Sequence, residues 1–107
     1  MNKILLCCAA GMSTSMVVQR MEKSAKEKGI AVEINAVGLD EFNERIADYD
    51  CCLLGPQIKY KLVDFKPLAD ELNKPIAVIN TMDYGMMNGE KILTEALAMI
   101  QNGGPQQ

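Results

Sequence analysis

Apolar and polar positions alternate along this chain in two rhythms, short continuous apolar runs and longer stretches of helical spacing, and the two take turns. Lys3 to Cys8 is a continuous apolar run, the pattern of a strand covered on both faces of a parallel sheet. From Ser13 to Lys28 the spacing turns helical: Val17, Val18, Met21 and Ala25 make one face, and Arg20, Glu22, Lys23, Lys26 and Glu27 face solvent. Lys26 and Lys28 lie in the expected last turn, with Gly29 placed for a left-handed C-terminal cap. Ser13, Thr14 and Ser15 are alternative N-caps for this helix.

Ile30 to Val37 predicts a second strand, which Gly38 ends. Asp40 is placed to cap a short helix running through Ala47, with Leu39, Phe42 and Ile46 inward. Asp50 to Leu54 predicts a third buried strand, ended by Gly55-Pro56. Gln57 to Leu72 predicts a helix using Tyr60, Leu62, Val63, Leu68 and Leu72, kinked or split at Pro67. Pro75 to Asn80 predicts a fourth strand, Thr81 to Gly89 a loop, and Glu90 to Gln101 a last amphipathic helix with Ile92, Leu93, Leu97 and Ile100 inward.

Strand and helix therefore alternate throughout, which predicts an α/β fold: one domain with a four-stranded parallel sheet and helices on both faces. Ligands of such open sheets bind beyond the carboxyl ends of the strands. That rule brings Cys8 to Ser15, Gly38 to Asp40, Gly55 to Gln57 and Thr81 to Gly85 towards one rim. The domain spans residues 1–102, and residues 103–107 form a tail expected to fray.

Composition narrows the chemistry. A length of 107 residues, 49% of them apolar, suits one domain with a real core. A net charge of −3 with no basic stripe interleaved with aromatics argues against nucleic-acid binding. The chain has no histidine, so Ser-His and Cys-His pairs and histidine metal sites are excluded within it. No metal-ligand cluster and no cofactor motif is evident. The four cysteines form two adjacent pairs, Cys7-Cys8 and Cys51-Cys52. Neighbours on a strand point to opposite faces, so neither pair is a Cys-x-x-Cys motif. Cys7, Cys51 and Cys52 read as core. The apolar run ending at Ala10 is too short for a secretory signal or a membrane span, which points to a reduced, cytoplasmic setting.

Cys8 carries the candidate chemistry. A strand delivers it into Ala9, Ala10, Gly11, Met12, Ser13, Thr14 and Ser15, small or hydroxyl-bearing except for Met12, with a helix start behind. Seven backbone N–H groups follow the sulfur, enough to wrap the oxygens of a phosphoryl group, and a helix N-terminus favours both an anion and a thiolate. The same pattern also serves as a plain tight turn in α/β proteins. Cysteine-dependent phosphatases have a loop of this length with the signature Cys-x5-Arg, but the arginine position holds Thr14. Without a guanidinium clamp the site is better suited to holding a phosphoryl group than to hydrolysing one.

Three segments carry a family resemblance: Cys8-Ala9-Ala10-Gly11-Met12-Ser13-Thr14-Ser15, Leu53-Leu54-Gly55-Pro56-Gln57-Ile58 and Tyr84-Gly85-Met86-Met87-Asn88-Gly89. Together the chain resembles the IIB proteins of the phosphoenolpyruvate-dependent sugar phosphotransferase system, in the cellobiose branch of the lactose/cellobiose family. The resemblance implies a fold like that of low-molecular-weight tyrosine phosphatases, with Cys8 phosphorylated and Ala9 to Ser15 as its phosphate loop. It implies a phosphorylated IIA protein as donor, and a membrane IIC permease with its sugar as acceptor. It further implies a cytoplasmic location with peripheral membrane association through IIC.

Two rival readings stand beside it. A small phosphatase or arsenate-reductase-like enzyme would use Cys8 with Asp83 as general acid. A non-catalytic module would use the loop as an anion sensor. Lys59, Lys61 and Lys66 are either a solvated face or a contact for an acidic partner surface. Met12, Met82, Met86 and Met87 fall at the rim, where they could form an adaptable apolar contact surface.

Overall fold

The computed structural model describes residues 2–8 and 11–102, with residues 11–14 in backbone only. Its elements, in chain order, are β1 (Asn2–Cys7), α1 (Gly11–Lys28), β2 (Val32–Val37), α2 (Phe42–Arg45), β3 (Cys51–Leu54), α3 (Leu62–Glu71), β4 (Ile76–Val78), α4 (Thr81–Gly85) and α5 (Gly89–Gln101). The four strands are parallel in the order β2-β1-β3-β4. This is the expected α/β class, a single domain of the kind shared with low-molecular-weight tyrosine phosphatases.

β1 organises the core because side chains alternate across a strand. Ile4 and Leu6 join a cluster with Val17, Met21, Ile92 and Leu93 under α1 and α5. Leu5 and Cys7 join the opposite cluster with Phe42, Ile46, Phe65 and Ala69 under α2 and α3. There the rings of Phe42 and Phe65 stack with centroids 4.1 Å apart. Ile4, Leu5 and Leu6 are fully buried, so each contributes on the order of 1.5–3 kcal/mol. Asp50 fixes the strand entry: its Oδ2 accepts from Lys3 N at 2.7 Å, and its N–H donates to Lys3 O at 2.7 Å.

Several boundaries differ from those expected. α1 starts at Gly11, so Ser13 to Ser15 lie within its opening turns rather than at its cap. The short helical segment after β2 is capped by Gly38, not Asp40: Gly38 N donates to Glu41 Oε2 at 3.3 Å. It then runs as 3-10, α and 3-10 turns. Pro67 does not break its helix. The kink falls at Ile58 (φ −117°, ψ 27°) inside a 3-10 stretch, Pro56–Lys61, that precedes α3. That kink rotates the inward stripe onto Ile58, Phe65 and Ala69, and leaves Tyr60 and Val63 63% and 74% exposed. The expected loop after β4 contains a helix, α4. Asn80 caps it, its Oδ1 accepting from Met82 N (2.9 Å) and Asp83 N (3.2 Å). The tail 103–107 lies outside the described residues.

α1 and α5 lie in near contact where Gly89 opens α5. A Cβ there would stand 2.6 Å from Met21 N and would also clash with the Arg20 backbone. Gly89→Ala should therefore lower stability by about 1–3 kcal/mol, the usual cost of overpacking, read as a lower urea midpoint at unchanged slope. Gly85→Ala, where an added methyl meets nothing within 4 Å, should leave the midpoint unchanged or raise it.

Candidate functional site

The strand order places a topological switch point between β1 and β3, where the chain leaves neighbouring strands in opposite directions and a crevice opens at their carboxyl ends. Two backbone bonds fix Cys8 at that crevice. Its own N–H donates to Val37 O at the end of β2 (3.2 Å), and Gly55 N donates to Cys7 O (3.0 Å). The side chain of Cys8 is buried, 3% exposed. α1 opens three residues further on and has no acidic residue in its first turn to offset its positive end. Ala9 and Ala10 of the expected phosphate loop, and the side chains of Gly11 to Thr14, lie outside the described residues.

Two residues not singled out from the sequence as site residues meet the sulfur. Gln57 Oε1 accepts from Cys8 Sγ at 3.9 Å. The Tyr84 hydroxyl lies 3.7 Å from the same sulfur, close enough for a hydrogen bond with either atom as donor. Gly55 makes this convergence possible: a Cβ there would stand 2.8 Å from Gln57 Oε1 and 3.3 Å from Cys8 Sγ. Gln57 arrives from the turn that β3 feeds, and Tyr84 from α4, which β4 feeds. Ile79 N, just past β4, donates to Leu54 O (2.8 Å), tying that strand end to the crevice. Tyr84 was visible only as part of a motif. An Asn80 cap with Tyr84 four residues on is the signal that could have placed it.

Asp83 lies in a different environment. Asp83 is buried, 5% exposed, and its Oδ2 pairs with Lys91 Nζ on α5 at 3.6 Å. Consecutive helical residues diverge by about 100°, so α4 turns Tyr84 to the sulfur and Asp83 to α5. Of the lysines after β3, Lys61 pairs with Asp64 (3.2 Å) and Lys66 with Asp70 (3.1 Å), the pattern of a solvated helix face. Met82 and Met86 are exposed, as is Met16 on α1, whereas Met87 packs inward against the α1–α5 cluster.

The remaining cysteines are core. Cys7 donates to Gly38 O at 3.5 Å and Cys51 to Ala96 O at 4.0 Å. Burial is the main cause that pushes Cys7 up to about 11 and Cys51 up to about 12, and it raises Cys52 well above the ordinary thiol value of 9.0. Cys52 pairs with Leu5 in the β1–β3 register, three residues back from Cys8. At roughly 3.3 Å per residue that offset is too long for a disulfide.

These thiols make stability pH-dependent with a definite sign. A folded thiol that holds its proton more tightly than the unfolded one loses that advantage as pH rises from the unfolded value towards its own. The folded protein should therefore lose stability progressively above about pH 9, and Cys51→Ala with Cys52→Ala should flatten the decline. Urea melts at stepped alkaline pH measure it.

Known proteins of one family resemble this chain. The family model described as "PTS system, Lactose/Cellobiose specific IIB subunit" matches residues 3–95. The chain is 40% identical over 102 residues to the oligo-beta-mannoside-specific EIIB component of Bacillus subtilis, covering 95% of this chain and 99% of that one. It superposes on the cellobiose-specific phosphotransferase IIB component of Borrelia burgdorferi with a TM-score of 0.82 at 43% identity, covering 96% and 94% of the two chains. It also matches, at 28% identity over 94% of its length, a stretch amounting to 17% of the lactose-specific EIICB component of Lactococcus lactis. The chain belongs to the lactose/cellobiose-specific IIB subunits of the phosphotransferase system and is a sugar phosphotransferase component.

Proposed function

We propose that Cys8 is the phosphoryl carrier of this subunit. It accepts a phosphoryl group from a phosphohistidine of a IIA protein and passes it to a β-linked disaccharide of the cellobiose type held by a membrane IIC protein. The observation that carries this reading is the placement of one cysteine, Cys8, at the β1/β3 switch point beside the start of α1, while the other three are packed in the core. Relatives named for oligo-beta-mannoside and cellobiose support the sugar class, and the match within a fused EIICB chain supports IIC as partner.

Two displacements at phosphorus make up the reaction. The Cys8 thiolate attacks in line, an S–P bond forms, the P–N bond of the phosphohistidine breaks, and its electron pair returns to the imidazole. A sugar hydroxyl then attacks, a P–O bond forms, and the P–S bond breaks with its pair returning to sulfur. The hydroxyl proton leaves to a base outside this chain, which has no histidine. A thiolate suits both halves because it is a good nucleophile and a good leaving group. The backbone N–H groups of Ala9, Ala10, Gly11, Met12, Ser13, Thr14 and Ser15 receive the transferring oxygens. Thr14 stands where a phosphatase has arginine, and the pairing of Asp83 with Lys91 turns that carboxylate away from a general-acid role.

On this account the domain is residues 1–102. The chain acts at the inner membrane face through IIC. No helix among the described residues is long and apolar enough to cross a membrane.

Reconstitution with IIA, a cellobiose-type IIC and a sugar panel tests the assignment. Cys8→Ser should abolish sugar phosphorylation, while Cys7→Ser keeps it within about threefold, since Cys7 is a core residue whose bond to Gly38 O a serine hydroxyl can also donate. Loss of activity in Cys7→Ser with retention in Cys8→Ser would reverse the assignment.

A further inference from the structure

Tyr84 comes to the sulfur from α4, and its surroundings hold it there. Tyr84 is 8% exposed and packs in the α1–α5 cluster. α4 is pinned at its start by the Asn80 cap and by Tyr84 N donating to Asn80 O (2.9 Å), and at its end by Asn88 N donating to Asp83 O (2.9 Å). Asp83 adds an ion pair to α5. A short helix fixed by a cap, a junction bond and an ion pair presents one hydroxyl to Cys8 Sγ at 3.7 Å.

Gln57 and Tyr84 differ in what they offer the sulfur. Gln57 presents its Oε1, an acceptor, which suits the neutral thiol. A tyrosine hydroxyl both accepts and donates, so it can turn its proton towards a thiolate. Bonds of that kind to a charged group are the strong class.

We propose that Tyr84 is a catalytic residue: its hydroxyl donates to the Cys8 thiolate in the resting site and to a phosphoryl oxygen once the sulfur is loaded. It thereby supplies from the α4 wall part of the stabilisation that Thr14, in place of arginine, withholds from the loop. The bonds made and broken at phosphorus are those given above. The second half of the inference rests on Cys8 being the carrier.

Charged groups stand around this end of β1. Cys7 sits behind it on β1, and Asp40, Glu41 and Lys61 act on Cys7 from the turns after β2 and β3. Asp83 and Lys91 pair with each other behind Tyr84. α1 has no charged side chain before Arg20.

The test compares the full-length protein with Tyr84→Phe. Iodoacetamide alkylation of Cys8, followed by mass spectrometry across pH, reads ionisation of the thiol without any phosphoryl donor. The variant should show a midpoint higher by about one pH unit, a tenfold change in ionisation constant or about 1.4 kcal/mol. Transfer of label from phosphorylated IIA at neutral pH should slow by about tenfold or more. A site-specific 3-fluorotyrosine at position 84, a stronger donor of nearly the same size, should move the midpoint the other way, which a packing role would not do. It also serves if the phenylalanine variant proves unstable on heating. A midpoint and transfer rate within twofold of the parent in Tyr84→Phe, or an unmoved midpoint with 3-fluorotyrosine, overturns the proposal. Parent protein that takes no label on Cys8 overturns the carrier reading instead, and the alkylation midpoint still decides the bond from Tyr84 to sulfur.

Discussion

β1 is covered on both faces and bonded on both edges, and the site depends on that confinement. A strand held this way has no freedom of register, because a slip by one residue would exchange its two faces. Ile4 and Leu6 would then face α2 and α3, and Leu5 and Cys7 would face α1 and α5. The bonds from Cys8 N to Val37 O and from Gly55 N to Cys7 O extend the same ladder to the last residue before the crevice. The sulfur is thus placed by the packing of the whole core rather than by local loop geometry.

The same parity separates two adjacent cysteines with identical chemistry. Cys7 points under α2 and α3, where burial holds it as a thiol, with a pKa of about 11. Cys8 emerges at the strand end between Gln57 and Tyr84. β3 and β4 each end in a segment that reaches back across the crevice, and Gly55 keeps the space open between them. One sheet edge thereby collects groups from positions 8, 57 and 84 with no long loop required.

Much of this was legible in the sequence, for identifiable reasons. The strands are short segments rich in apolar and β-branched residues, and all four were found with shifts at their ends. Helices α1 and α5 are long enough for their periodicity to show. α4 was not, since five residues complete little more than one turn, and only its Asn80 cap announces it. Pro67 misled because proline usually breaks a helix interior. Here the lost bond is to the carbonyl of Val63, a residue 74% exposed, where water can replace the proline N–H. Tyr60 and Val63 were placed inward on apolarity alone, and the turn at Ile58 shifted the helix phase. Cys8 could be chosen over Cys7 from the loop that follows it. Gln57 and Tyr84 could not be given roles, since their approach to the sulfur depends on strand order.

The account turns on a covalent bond between phosphorus and one sulfur. Incubation of the protein with phosphorylated IIA, rapid digestion under conditions that preserve thiophosphate esters, and tandem mass spectrometry of the peptide containing both Cys7 and Cys8 test it most directly. The account predicts one added phosphoryl group, on Cys8. A phosphoryl group on Cys7, on Ser13, Thr14 or Ser15, or on none of these residues would contradict it.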